Sequence, residues 1–213
     1  MKNNNTDKNG GNPSAAKKKE ETRRRLMNAA RKIFSRDGYE FANVSDIVGE
    51  LGMAQGTFYY HFEDKKSVLL EMLGEFFGRV REVIAGWAES TDAGAEAAAG
   101  FGRALANIFY ENRELAKIIK REAYNPDPGI RGLIEEFYSY LYSRTKLGLE
   151  LGIGLGLVRP MDTDVAAPAL VGMIERVVEE QVKRRKKPDF EHIINEIMEL
   201  QNFGIRPKDK DEV

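Results

Sequence analysis

Residues 52–65 read GMAQGTFYYHFEDK, and they place two phenylalanines, two tyrosines and one of the chain's two histidines beside a glycine-containing tripeptide. Such a cluster fits an active site, an apolar core segment, or a surface that meets something flat and charged. Its neighbours narrow the choice. Gly52 marks a turn, and residues 55–61 read as a short helix. Just before the turn, Val44, Ile47, Val48 and Leu51 recur at helical spacing over 44–51, with Asn43 placed to cap that helix through its side-chain oxygen. Two short helices joined by a tight glycine turn make a helix-turn-helix. In that motif the second helix presents its N-terminal residues to base edges in the major groove, while the first crosses the backbone.

Working outward, Leu26, Ala29, Ala30, Ile33 and Phe34 form one apolar stripe of a helix starting at Lys17, with Arg23, Arg24, Arg25, Arg31 and Lys32 around it and Asp37-Gly38 as its stop. Residues 1–16 are rich in Asn, Gly, Ser and Lys and bury too little to offset ordering entropy, so a disordered tail is expected there. A long helix starts at Lys65, carrying Val68, Leu69, Met72, Leu73, Phe76, Val80, Val83 and Trp87. Further helices are expected near 92–111, 113–124, 128–153, 162–186 and 189–203. The breaks between them are Ser90-Thr91-Asp92, the Asn125–Gly129 turn (NPDPG), Arg159-Pro160 and Pro188-Asp189. No segment sustains period-two alternation, and no repeat of fixed period is visible. The fold class is all-α: an N-terminal three-helix domain over 17–64 with its motif at about 44–63, then a larger helical domain over 65–213.

Composition sets the partners. The 213 residues are 42% apolar and 31% charged, the balance of a globular protein with a real core. No apolar run reaches the ~20 residues needed to span a bilayer, and the first residues have no apolar stretch of the kind a secretory signal needs. A cytoplasmic protein without membrane partners is expected. The chain has no cysteine, which removes disulfides and thiolate chemistry. A net charge of −1 hides an asymmetry: residues 1–66 carry thirteen Lys/Arg against nine Asp/Glu, and the remainder twenty against twenty-five. Only the first third is suited to a polyanion.

The residues of the second short helix suit double-stranded DNA. Gln55 at its start can bond base edges, bidentately to adenine in the usual pairing. Gly56 lets the backbone come close to the duplex. Thr57, Tyr59, Tyr60 and His61 offer neutral donors to phosphate oxygens, and Lys65 adds a charge at the next helix start. Residues 23–69 resemble the N-terminal domain of the TetR family of transcriptional regulators. The matched features are Leu26-x-x-Ala29-Ala30-x-x-x-Phe34, Gly38-Tyr39, Asp46-Ile47, Leu51-Gly52-Met53 and Gly56-Thr57-Phe58-Tyr59-Tyr60-His61-Phe62-x-x-Lys65. The resemblance implies a homodimer, usually a repressor, whose C-terminal domain binds a small-molecule effector and so releases DNA. It implies base-edge contacts for Gln55 and Tyr60 and phosphate contacts for Thr57, Tyr59, His61 and Lys65. Asn43, Ser45, Ala54 and Gly56 complete the set expected at DNA, and Phe58 and Phe62 are expected to turn inward. Ala54 stands where the family often has Ser, Gln55 where it often has Lys, and Val48 where Ala is common.

Other readings stand beside these. His61 as a general base lacks a nearby serine or cysteine nucleophile, and no HExxH or comparable spacing offers a metal site. No cofactor is expected, and a helical enzyme lacks the required constellation of groups. Lys17-Lys18-Lys19 followed by Arg23-Arg24-Arg25 reads equally as an arm for DNA or as a solvated flank, and Lys183–Lys187 (KRRKK) as a solvated helix end. Abundant aromatics over 65–158 suggest an effector pocket whose residues stay unnamed. The apolar stripes Val165, Ala169, Leu170, Met173, Ile174, Val177, Val178 and Ile193, Ile194, Ile197, Met198, Leu200 suggest a dimer through the last two helices. The alternative is that these stripes pack on their own subunit. A constitutive DNA-binding dimer with a filled core remains the competing function.

Overall fold

The computed structural model describes residues 13–88, 95–184 and 189–203, and these hold helices and connecting turns without a strand. The elements are α1 (Pro13–Asp37), α2 (Val44–Gly49), α3 (Gln55–His61), α4 (Lys65–Ala88), α5 (Ala95–Glu111), α6 (Arg113–Glu122), α7 (Pro128–Gly154), α8 (Thr163–Arg184) and α9 (Phe190–Phe203). They form two compact units, residues 1–71 and 72–213. Among the described residues no helix is long and apolar enough to cross a membrane.

Helix α1 starts at Pro13, four residues before the expected Lys17, so residues 13–16 are helical rather than part of a disordered tail. Proline's fixed φ and missing N–H suit the first turn of a helix, and the two alanines that follow are strong helix formers. The expected disorder of residues 1–12, the break at 90–92 and the basic residues 185–187 fall outside the described residues. In the smaller unit, Leu26, Ala30, Ile33 and Phe34 of α1 are buried together with Ile47, Val48, Phe58, Phe62, Val68 and Leu69. The ring of Phe34 meets Tyr39 edge-on at 5.3 Å. The division between the units falls inside α4, after Glu71, and not at the helix start that the sequence marks.

In the larger unit, aromatic rings fill the space between α4, α5 and α7. Phe77 stacks on Phe137 at 3.9 Å, and Phe76 meets Phe109 edge-on at 5.3 Å. Helix α7 packs along α8, and α9 packs on α5 and α8. Ile193, Ile194 and Ile197 of α9 are buried with Ala106 of α5 and against Met173, Ile174 and Val177 of α8. This corrects part of the expected dimer surface: the apolar stripe of α9 is used within its own subunit. The close approach is set by Gly102, where a Cβ would lie 2.8 Å from the Ile194 side chain. Amphipathic periodicity shows that a face is covered, and long-range packing decides by what.

Candidate DNA-binding surface

The α2–turn–α3 unit is built from the backbone outward. The Asp46 carboxylate accepts the Asn43 N–H at 3.1 Å, and the Asp46 N–H bonds the Asn43 carbonyl at 3.1 Å, which starts α2. Helix α2 ends at Gly49, two residues earlier than expected, because Leu51 and Gly52 fold back into the turn. The Met53 N–H reaches the Val48 carbonyl at 3.0 Å, and Gly52 takes φ +62°, which an L side chain rarely adopts. Ala54 occupies the N-cap of α3 in extended conformation and makes no side-chain cap bond.

Helix α3 divides its aromatics by face. Phe58 and Phe62 are buried, with their rings 5.7 Å apart. Tyr59 and Tyr60 are 57% and 69% exposed. Gln55, Gly56 and Ala54 are exposed beside them, as are Asn43 and Ser45 at the start of α2, while Thr57 is half-buried. A Cβ added at Gly56 would meet nothing within 4 Å, and its φ is not positive. Nothing inside the chain therefore requires glycine there, although glycine costs about 1 kcal/mol against alanine within a helix.

One residue expected at phosphate is engaged elsewhere. The Lys65 ammonium donates to the carbonyls of Tyr39 and Glu40, both at 2.9 Å, and of Ala42 at 3.2 Å. It also lies 4.7 Å from the centre of the Tyr39 ring. All three of its protons point into the α1–α2 connection, so Lys65 holds that connection to the start of α4. Lys65→Met should therefore lower the melting stability of the smaller unit by about 1.5–3 kcal/mol, the range for hydrogen bonds to a charged group. The salt dependence of DNA binding should not change, and a flatter salt dependence with unchanged melting would restore the phosphate role.

His61 is half-buried, with Nδ1 buried and unpartnered and the ring edge-on to Tyr60 at 5.1 Å. Burial, then the charges of Arg23 and Lys19, push its pKa below the ordinary value, against a smaller opposing pull from Glu20. These effects favour the neutral imidazole beside the basic edge of α1.

That edge comes close to α3. Lys17, Lys18 and Lys19 are exposed, and the Lys19 ammonium sits 5.0 Å from the centre of the Tyr60 ring. Arg23, one turn further, bonds Glu71 of α4 and the backbone carbonyl of His61. The sequence offered Arg23 only as part of a possible basic arm, and its pairing with Glu71 went unseen, since a spacing of 48 residues gives no local signal. In the larger unit a second pair was equally silent: the Tyr138 hydroxyl of α7 donates to Glu175 of α8, and burial raises the pKa of both.

An exposed helix bearing an amide, a glycine and two tyrosines, set by a glycine turn on a second short helix, defines a helix-turn-helix DNA-binding regulator. Comparison with known proteins agrees. Residues 26–72 match the model for bacterial regulatory proteins of the tetR family. The chain is 29% identical over 191 residues to the "Uncharacterized HTH-type transcriptional regulator YdgC" of Bacillus subtilis, covering 87% of this chain and 93% of that one. It is 26% identical to the "Fatty acid metabolism regulator protein" of the same organism, covering 86% and 95%. The crystal structure of FadR from Bacillus subtilis in complex with stearoyl-CoA shares the fold with a TM-score of 0.69 and 24% identity, covering 86% of this chain and 99% of that one. The helix-turn-helix region, residues 26–72, is thus similar to the DNA-binding domain of the tetR family of bacterial regulatory proteins.

Proposed function

We propose that this protein is a cytoplasmic repressor, without enzymatic activity, that binds a palindromic operator as a homodimer and is released by an effector carrying a long acyl chain. The observation that carries the DNA reading is the free face of α3: Gln55, Gly56, Tyr59 and Tyr60 are exposed together, and the glycine has no internal reason. Gln55 and Tyr60 read base edges, while Tyr59, Thr57 and the Lys17–Lys19 (KKK) turn of α1 hold phosphates. Gly56 lets the helix backbone approach the duplex. Gly56→Ala should therefore melt at the same temperature as wild type or slightly higher, yet bind DNA more weakly. Unchanged DNA affinity would remove the close approach from the account.

Two copies are needed to occupy successive major grooves about 34–36 Å apart. With the α9 stripe covered, the dimer draws on the outward side of α8, where Val165 is 64% exposed and Ala169 and Gly172 are also exposed, and on Leu200 of α9. The effector reading rests on the fatty acid regulator among the relatives and on half-buried apolar residues of the larger unit. Trp87 stacks on Phe101 at 5.2 Å, and Leu105 and Phe109 continue that side of α5. An effector acts only through differential affinity for the two conformations. Fluorescence anisotropy of operator-bound protein titrated with stearoyl-CoA tests this: release at low concentration is expected. Indifference to acyl-CoA of any chain length would return the reading to a constitutive DNA-binding dimer.

A further inference from the structure

Arg23 makes three contacts with one guanidinium. Its Nε and Nη2 donate to the two carboxylate oxygens of Glu71, the first at 2.8 Å, and Nη1 donates to the His61 carbonyl. Its Cζ lies over the Phe62 ring, 4.2 Å from the ring centre. The side chains of Arg23 and Glu71 are 29% and 30% exposed, so the pair is largely shielded from water.

His61 is the last residue of α3, where backbone carbonyls have no partner within the helix. Helix α3 has only seven residues and no side-chain cap at Ala54, so it is too short to hold itself and takes its direction from what surrounds it. Phe58 and Phe62 anchor one side. Arg23 anchors the C-terminal end, and Glu71 holds the guanidinium in the plane that reaches the carbonyl. A lysine, as a point charge, cannot bridge a carboxylate and a carbonyl in this fork.

We propose that Arg23, oriented by Glu71, is a positioning residue for the recognition helix: it fixes the end of α3 against α1 and α4 and so sets the angle at which Gln55 and Tyr60 meet the bases. The proposal rests on the DNA reading of α3 above. A plainer role, in which Arg23 is itself a phosphate contact, predicts opposite signs. Removing the Glu71 charge would then free the arginine and tighten DNA binding.

The test is Glu71→Gln in the full chain, with Arg23→Lys beside it, read by affinity for a selected operator, affinity for random duplex, and NMR titration of His61. With two histidines in the chain the signal is readily assigned. Both variants should lose about tenfold on the operator, the worth of one good base contact, with random-duplex binding unchanged. In Glu71→Gln the His61 imidazole should titrate higher than in wild type, because a loosened helix end exposes it; Coulomb attraction lost with the carboxylate would act the other way. Equal or tighter operator binding by Glu71→Gln, with His61 titrating as in wild type or lower, would overturn the proposal. If wild type itself binds no duplex, the DNA reading fails, and the direction of the His61 change still supports or overturns the positioning role.

Discussion

Phe58→Ala should unfold the smaller unit at physiological temperature and abolish operator binding while leaving the larger unit folded. Phe58 is fully buried, with Phe62 5.7 Å away, and truncating a buried phenylalanine costs about 3–5 kcal/mol through lost burial and the cavity left behind. A small helical unit has little stability to spare, since domains of about 60 residues bury only some 60% of the surface their unfolded chains expose. Scanning calorimetry is the measurement. Wild type should show the melting of both units, and the variant should retain only that of residues 72–213. A variant that melts like wild type would mean that α3 is held by its other contacts alone.

The second large effect separates recognition from folding. Gln55→Ala and Tyr60→Ala remove exposed side chains, so both variants should melt like wild type. Each should weaken operator binding and relax base preference by roughly 1–3 kcal/mol, the worth of a base-edge contact. Tyr60 carries an added consequence, because its ring also receives the Lys19 ammonium at 5.0 Å. Its loss should disturb the nearby phosphate contact as well, so the two substitutions together should be less than additive only if Gln55 shares that contact. Wild-type affinity and wild-type base preference in both variants would remove α3 from the recognition surface.

Much of this was legible in the residues because the signals are local. The span of α3 over 55–61 and the division of its aromatics follow from helical spacing: Phe58 and Phe62 are four apart and share the inner face, leaving Tyr59 and Tyr60 outside. Lys65 shows the limit. Its charge and its place at a helix start suggest phosphate, yet its three acceptors are carbonyls 23 to 26 residues earlier, brought to it only by the fold. The pairing of Arg23 with Glu71 is hidden for the same reason. The α9 stripe fails differently: periodicity predicts that Ile193, Ile194 and Ile197 are covered, and cannot tell the same subunit from its partner. At the start of α1, polar composition suggested a tail, and the helix-compatible Pro13, Ala15 and Ala16 outweighed it.

The central claim is that two copies of α3 read one palindrome under effector control. It is tested most directly by selecting bound sequences from random duplex DNA, with and without stearoyl-CoA. The account predicts enrichment of an inverted repeat whose half-site centres lie one helical turn, about 10 base pairs, or a multiple of it apart, lost when the acyl-CoA is present. Recovery of no sequence, or of a single half-site that stearoyl-CoA leaves unchanged, would contradict it.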